Sequence, residues 1–255
     1  MVGEGRVNDS LSKGARGDLY EANYRQEICA AILHNRLLSG ARCAENQIKR
    51  TADFEEQIDL LIYLKPLLIV AEVKCWLFPA DSVERFRYLN KLKEAANQAK
   101  RKANALRGKQ NVAWKALGMP PECSVETQVV PLVVTNQAFG VGLNMDGCIV
   151  TDAEILKGYL REGAIITGMI SGLNRHERVL AKTTYYENEA QAAKRFGREF
   201  SDPYVQRRVE ERITWTTVLL PAPLGEPTFF AAPRLADVSE WDKEFIRIAT
   251  AGSFA

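Results

Sequence analysis

Histidine is almost absent from this sequence, which holds only His34 and His176. The five cysteines, Cys29, Cys43, Cys75, Cys123 and Cys148, include no closely spaced CxxC pair. A classical zinc cluster is therefore not expected. Their odd number and scattered positions fit reduced, mostly buried thiols and a cytoplasmic location. No signal-peptide pattern is present, and no apolar run approaches the roughly 20 residues of a membrane span, so no membrane partner is expected. No internal repeat is evident, and the stretch after Gly163 holds no recognisable DNA-reading motif, nucleotide loop or zinc finger. Excess charge is also lacking: a formal net charge of +2 over 255 residues does not by itself imply a polyanionic partner. Any such argument rests on where the charge lies. The remaining composition, 46% hydrophobic and 26% charged, is that of a soluble globular protein of one large domain, or one domain with an extension.

The most informative stretch is Gln57 to Cys75, QIDLLIYLKPLLIVAEVKC. Two apolar runs of strand length, rich in Ile, Leu and Val, flank Lys65-Pro66. A two-residue turn there pairs Leu64 with Leu67 and sets Asp59 opposite Glu72, with the carboxylates roughly 5 Å apart at Cβ. Lys-Pro is a poor sequence for the favoured hairpin turns, which leaves the register open. Side chains alternate along a strand, so Lys74 shares the face of Glu72. Carboxylates are seldom buried beside apolar strands without a partner or a metal. Asp59, Glu72 and the backbone carbonyl of Val73 offer hard oxygen ligands for magnesium, with manganese as a substitute. Lys74 can neutralise phosphate charge, orient a water or help deprotonate it. The competing reading is a charged strand end in which Lys74 simply satisfies the acids. Glu55 and Glu56 compete with Asp59 as the first carboxylate, but they precede the strand.

An acidic residue on one core strand, followed on the next by Glu-x-Lys, resembles the PD-(D/E)XK, or restriction-endonuclease-like, nuclease superfamily. Here the pattern is Asp59 with Glu72-Val73-Lys74, and Ile58 stands where the motif's name has proline. The resemblance covers about Leu19 to Gly163. It implies an α/β fold with a mixed core sheet flanked by helices, and hydrolysis of a phosphodiester to leave a 5′-phosphate. Members often carry a glutamate on the first core helix, for which Glu27 is the candidate ahead of Glu21. A boundary glutamate paired with an arginine such as Arg25 is the other reading of Glu27. Members also often place a glutamine on the helix after the catalytic strands, a position that Gln98 resembles. Gln98 on a solvent face is the alternative.

Along the chain, residues 1–17 read as a flexible arm, 18–163 as the nuclease-like core, and 164–255 as an α+β extension. The first helix spans about Asp18 to Leu38. A second begins near Val83, with an apolar stripe of Phe86, Leu89, Leu92, Ala96, Ala99, Ala103 and Leu106. Its other side is basic. Between Ser82 and Lys115 ten basic residues face only Glu84 and Glu94. Such a field suits a polyanion, although helices commonly carry lysines outside. Arg85, Lys91, Lys100, Arg101, Lys102, Arg107 and Lys109 are the expected nucleic-acid contacts. Glu126 to Val134 reads as a core strand in which Pro131 argues for irregularity or an edge. Val141 to Val150 reads as a further strand region, and Thr151 with Glu154 as a capping box. Beyond Gly163, AIITGMISGLN reads as a short helix or hinge. A helix over Tyr185–Phe200, a short helix from Asp202-Pro203, a strand over Ile213–Leu220 and a final helix or strand over Trp241–Ile248 follow.

These readings converge on a magnesium-dependent nuclease, an endonuclease rather than an exonuclease, acting on DNA with RNA left open. A homodimer or larger complex is compatible with this. The alternative is a binding or scaffold subunit that keeps the fold and basic face but cleaves poorly or not at all.

Overall fold

The computed structural model describes residues 13–120, 127–171, 177–210, 213–220 and 228–235. Most of the expected N-terminal arm lies outside the described residues, as does the helix or strand expected near Trp241–Ile248. The chain forms two compact units: Met1–Ile165 with Thr184–Ser201, and Ile166–Thr183 with Asp202–Ala255. Residues 184–201, read from sequence as part of the extension, belong to the first unit.

That unit is a mixed α/β fold built on one central sheet. Its strands are β1 (Arg42–Cys43), β2 (Leu60–Leu64), β3 (Leu67–Lys74), β4 (Gln128–Thr135), β5 (Asn144–Met145) and β6 (Cys148–Asp152), in the order β1-β2-β3-β4-β6-β5. β3, β4 and β6 are parallel, and the pairs β1–β2, β2–β3 and β5–β6 are antiparallel. Helices cover both faces. Strands buried on both sides read as continuous apolar runs, which is why Leu60–Leu64 and Leu67–Val73 show so little alternation.

On one face, α1 (Lys13–His34), α4 (Ala153–Glu162) and α5 (Glu189–Ser201) pack over Leu60, Ile62, Ile69, Ala71 and Val73. On the other, α2 (Ser82–Arg107) and α3 (Gln110–Ala116) cover Leu61, Tyr63, Leu68, Val70 and Val133. Each fully buried Leu or Ile contributes about 1.5–3 kcal/mol, so the apolar positions of β2 and β3 fix the register strongly. Partners on these strands sum to 131, from Leu60↔Ala71 to Leu64↔Leu67, as the two-residue turn requires. The residue before β2 is Asp59, and the same register sets it against Glu72.

Several local expectations need correction. The first helix ends at His34, and a separate 3-10 turn, Arg36–Leu38, follows it; the Asn35 side chain caps that turn by accepting from the Leu37 N–H at 3.0 Å. Pro131 is buried in an interior strand, not an edge one. It is tolerated because β4 begins to pair with β6 only at Leu132, so position 131 has a neighbour on the β3 side alone. The cap of α4 is Asp152, which accepts from Ile155 N–H at 2.7 Å, while Thr151 remains in β6. Gly163 ends α4 at φ +63°, a left-handed position where a Cβ would also meet the Tyr186 ring at 2.8 Å.

The stripe of α2 differs as well. Its buried side is Tyr88, Leu92, Ala95, Ala96, Ala99, Lys102, Ala103 and Leu106, whereas Phe86 is 66% exposed and Leu89 is also exposed. Tyr88 lies one turn before Leu92 and carries the stripe, which places Phe86 and Leu89 on other faces.

In the second unit, β9 (Ile213–Leu220) pairs antiparallel with β10 (Thr228–Leu235), and α6 spans Tyr204–Glu210. Ala164–Ser171, expected as a helix or hinge, is strand β7 and pairs with β8 (Glu177–Thr184). No described helix is long and apolar enough to cross a membrane.

Candidate active site

Asp59 and Glu72 meet at the end of the β2–β3 pair, 3% and 2% exposed. Three contacts hold Asp59. Its carbonyl accepts from Arg25 Nε of α1 at 2.7 Å, its Oδ2 accepts from the Val73 N–H at 3.2 Å, and its Oδ1 lies 3.2 Å from Lys102 Nζ. The N–H and C=O of one strand residue point to the same neighbour, so the Val73 carbonyl is turned to the Asp59 side too. Glu72 receives two ammonium groups. Lys74 Nζ is 2.5 Å from Oε1, and Lys102 Nζ contacts Oε2. Lys102 therefore bridges both carboxylates.

The electrostatics follow from this geometry. Burial and the neighbouring Glu72 charge push the Asp59 carboxyl up. Burial also acts against Glu72 ionisation, but Lys102 and Lys74 outweigh it and hold that carboxyl below its usual range. Burial would strip the proton from Lys74, yet Glu72, Asp59 and Glu21 prevail and keep it firmly protonated. In that state Lys74 is a donor and a positive charge.

The sequence places Asp59, Glu72 and Lys74 together, and the fold brings them together with Val73. Other candidates end up elsewhere. Glu27 is an exposed partner of Lys157 at 2.9 Å on α4. Glu21 feels the cluster instead: burial, then the charge of Asp59, pushes its carboxyl up to about 7, with Lys74 partly opposing and Glu72 adding. The reason is helical geometry. Glu21 lies one turn before Arg25, the residue that docks on Asp59, whereas Glu27, two positions beyond Arg25, faces away. Gln98 is half-buried, one turn before Lys102 on the same helix.

Lys102 is the largest departure from the sequence reading, which set it on the exposed basic face. It is 7% exposed and belongs to the acidic cluster. Its spacing from Ala95, Ala99 and Leu106 puts it on the apolar stripe, and that was the available signal. Much of the rest of the basic face is already engaged, two residues by acids and two by neutral acceptors. Arg101 pairs with Glu56 through two bonds of 2.6 and 3.2 Å, Lys100 lies 3.6 Å from Asp146, Arg107 donates to Asn104 and the Val129 carbonyl, and Lys109 donates to the Asp53 carbonyl. Arg85, Arg87, Lys91 and Lys93 stand exposed on the N-terminal half of α2.

Among the described residues no three His, Cys, Asp or Glu side chains group as a ready metal centre. Magnesium, however, is commonly held by one or two carboxylates with substrate phosphate and water completing its shell. The donor set of Asp59, Glu72 and the Val73 carbonyl fits that pattern, and a cationic group, the Lys102 ammonium, already sits on the carboxylate oxygens. Comparison with known proteins yields no match among family models, curated proteins or solved structures.

Proposed function

We propose that the chain is a divalent-metal-dependent nuclease of the PD-(D/E)XK type, with Asp59, Glu72 and Lys74 at its centre. The observation that carries this reading is the buried juxtaposition of Asp59 and Glu72, with Lys74 on Glu72, at one end of a core strand pair. A mixed sheet with parallel β3 and β4, antiparallel β2 and helices on both faces supports the restriction-endonuclease-like fold.

Asp59, Glu72 and the Val73 carbonyl would hold magnesium or manganese, which supplies Lewis-acid polarisation of the phosphoryl group and stabilises the leaving oxygen. Lys74 donates to the attacking water or a non-bridging phosphate oxygen and offsets the charge that grows in the transition state. Glu21 would take the part of the first-helix glutamate, and Gln98, one turn before Lys102, would hydrogen-bond a phosphate oxygen. Arg85 and Lys91 supply the exposed positive charge that attracts DNA.

The alternative, a weakly active or inactive binding subunit, draws support from one observation: two lysines already compensate both acids, as in a structural ion cluster. The deciding experiment compares the intact protein with Glu72→Ala on labelled linear, circular and single-stranded nucleic acids, with magnesium or manganese against chelator. Metal-dependent cleavage that falls at least about 100-fold in the variant supports the nuclease. Binding with no cleavage under either metal supports the binding subunit.

A further inference from the structure

Counting charge at the cluster gives an unusual result for a metal site. Asp59 and Glu72 bring two negative charges, and Lys74 and Lys102 bring two positive ones. A dication is drawn to a pocket by uncompensated negative charge, and here the four groups cancel. The two lysines are not equivalent. Lys74 occupies one oxygen of Glu72 and is partly open to solvent, with a quarter of its side chain exposed. Lys102 is buried and lies between the acids, on Oδ1 of Asp59 and Oε2 of Glu72. Each acid thus already has one oxygen taken by this ammonium. A dication held by the same two carboxylates would compete with Lys102 for them while repelling it.

We infer that Lys102 is a built-in counter-ion that a divalent cation must displace from Asp59 and Glu72. This rests on the nuclease reading above. A displaced ammonium needs a new anionic partner, because an unpaired buried charge is strongly unfavourable. The acids beside its neighbours on α2 are already engaged: Glu56 holds Arg101 and Asp146 lies 3.6 Å from Lys100. A phosphodiester brought to the site supplies that partner. Metal and substrate then bind with positive coupling, and by linkage each strengthens the other. The free protein takes up metal weakly, which limits a loaded nuclease to moments when nucleic acid is present.

The test is calorimetric titration of Mn²⁺ into the full chain without nucleic acid, for the intact protein, Lys102→Met and Lys102→Arg. Lys102→Met should bind Mn²⁺ at least about tenfold more tightly than the intact protein, equivalent to about 1.4 kcal/mol. Lys102→Arg keeps the charge and should stay within about threefold of the intact protein. Adding Asp59→Asn to Lys102→Met should abolish the gain. Should Lys102→Met fail to fold by circular dichroism, Lys102→Gln, neutral but still a donor to both acids, carries the same expectation. A folded neutral variant with Mn²⁺ affinity equal to or below that of the intact protein overturns the inference. If the intact protein nevertheless cleaves with metal, the nuclease reading survives that result. If no variant binds Mn²⁺ and the intact protein does not cleave, both fall.

Discussion

The two halves of α2 treat side chains in opposite ways. Near its start an apolar residue, Phe86, stands 66% exposed between Arg85 and Arg87; near its end a charged one, Lys102, is 7% exposed. The sheet beneath explains the difference. The first half lies over β4 and β6 and is anchored through Tyr88 and Leu92 against Val133, Cys148 and Val150. The second half lies over β2 and β3, where Ala103 and Leu106 pack against Leu61, Leu68 and Val70. Burial is thus decided by angular position on the helix, not by side-chain polarity. Lys102 is sustained in its place because two carboxylates meet it there.

The largest break in that comparison comes from Lys102. Lys102→Met leaves Asp59 and Glu72 buried and facing each other without their shared cation. In chelator at neutral pH this should cost about 3–5 kcal/mol of unfolding free energy, measured by denaturant titration. Burial and Glu72 already push the Asp59 carboxyl up, so protonating it at lower pH should return part of the loss. A loss below about 0.5 kcal/mol would mean that Lys102 is not an integral part of the cluster.

Next comes a pair of apolar truncations on the first half. Leu92 is fully buried, and Leu92→Ala should cost about 2–5 kcal/mol. Phe86→Ala should remain within about 0.5 kcal/mol of the parent despite removing a larger side chain. Equal costs at the two positions would show that Phe86 is covered in solution.

How much of the fold and the site is legible in one dimension depends on the physical signal that each residue leaves there. The β2–β3 register is open to reading because two apolar runs around a two-residue turn admit few alignments, and a one-residue slip would put Asp59 and Glu72 on opposite faces of the sheet. Asp59 opposite Glu72 follows from it. Lys102 and Glu21 are harder, since both depend on which side of a helix docks. The alanine spacing around Lys102 holds the answer, but a run of lysines and arginines reads first as a solvated face. Arg25 marks the docking face of α1, and its role is visible only once Asp59 lies beside it. In Ala164–Ser171 the glycine and alanine suggest a hinge, while the β-branched residues Ile165, Ile166, Thr167 and Ile170 favour the strand that forms.

A smaller effect separates the exposed from the neutralised part of the basic face. Arg85→Glu with Lys91→Glu should weaken DNA binding about tenfold or more at moderate salt and lower the salt slope by about one for each phosphate no longer neutralised. Arg101→Ala should change it less than about threefold, because its guanidinium already serves Glu56. Fluorescence anisotropy in chelator, across a salt series, measures both. Equal losses would mean that the Glu56 pair opens on binding.

The smallest expected effect tests whether α1 belongs to the acidic cluster. The Glu21 carboxyl is pushed up to about 7 by burial and by the nearby Asp59. The folded chain therefore keeps a proton that the unfolded chain has already released between the ordinary carboxylate range and about pH 7. Stability falls wherever the folded state binds more protons as pH rises, so Glu21 lowers stability progressively up to neutrality and by a constant amount above it. Glutamine cannot ionise and escapes that penalty. In chelator, Glu21→Gln should match the parent near pH 4 and exceed it by about 1 kcal/mol at pH 8, after allowing for the solvent that reaches this half-buried group. Thermal melts at both pH values read the difference directly. A variant no more stable than the parent at pH 8 would place Glu21 outside the field of Asp59 and Glu72, and α1 would then meet the site through Arg25 alone.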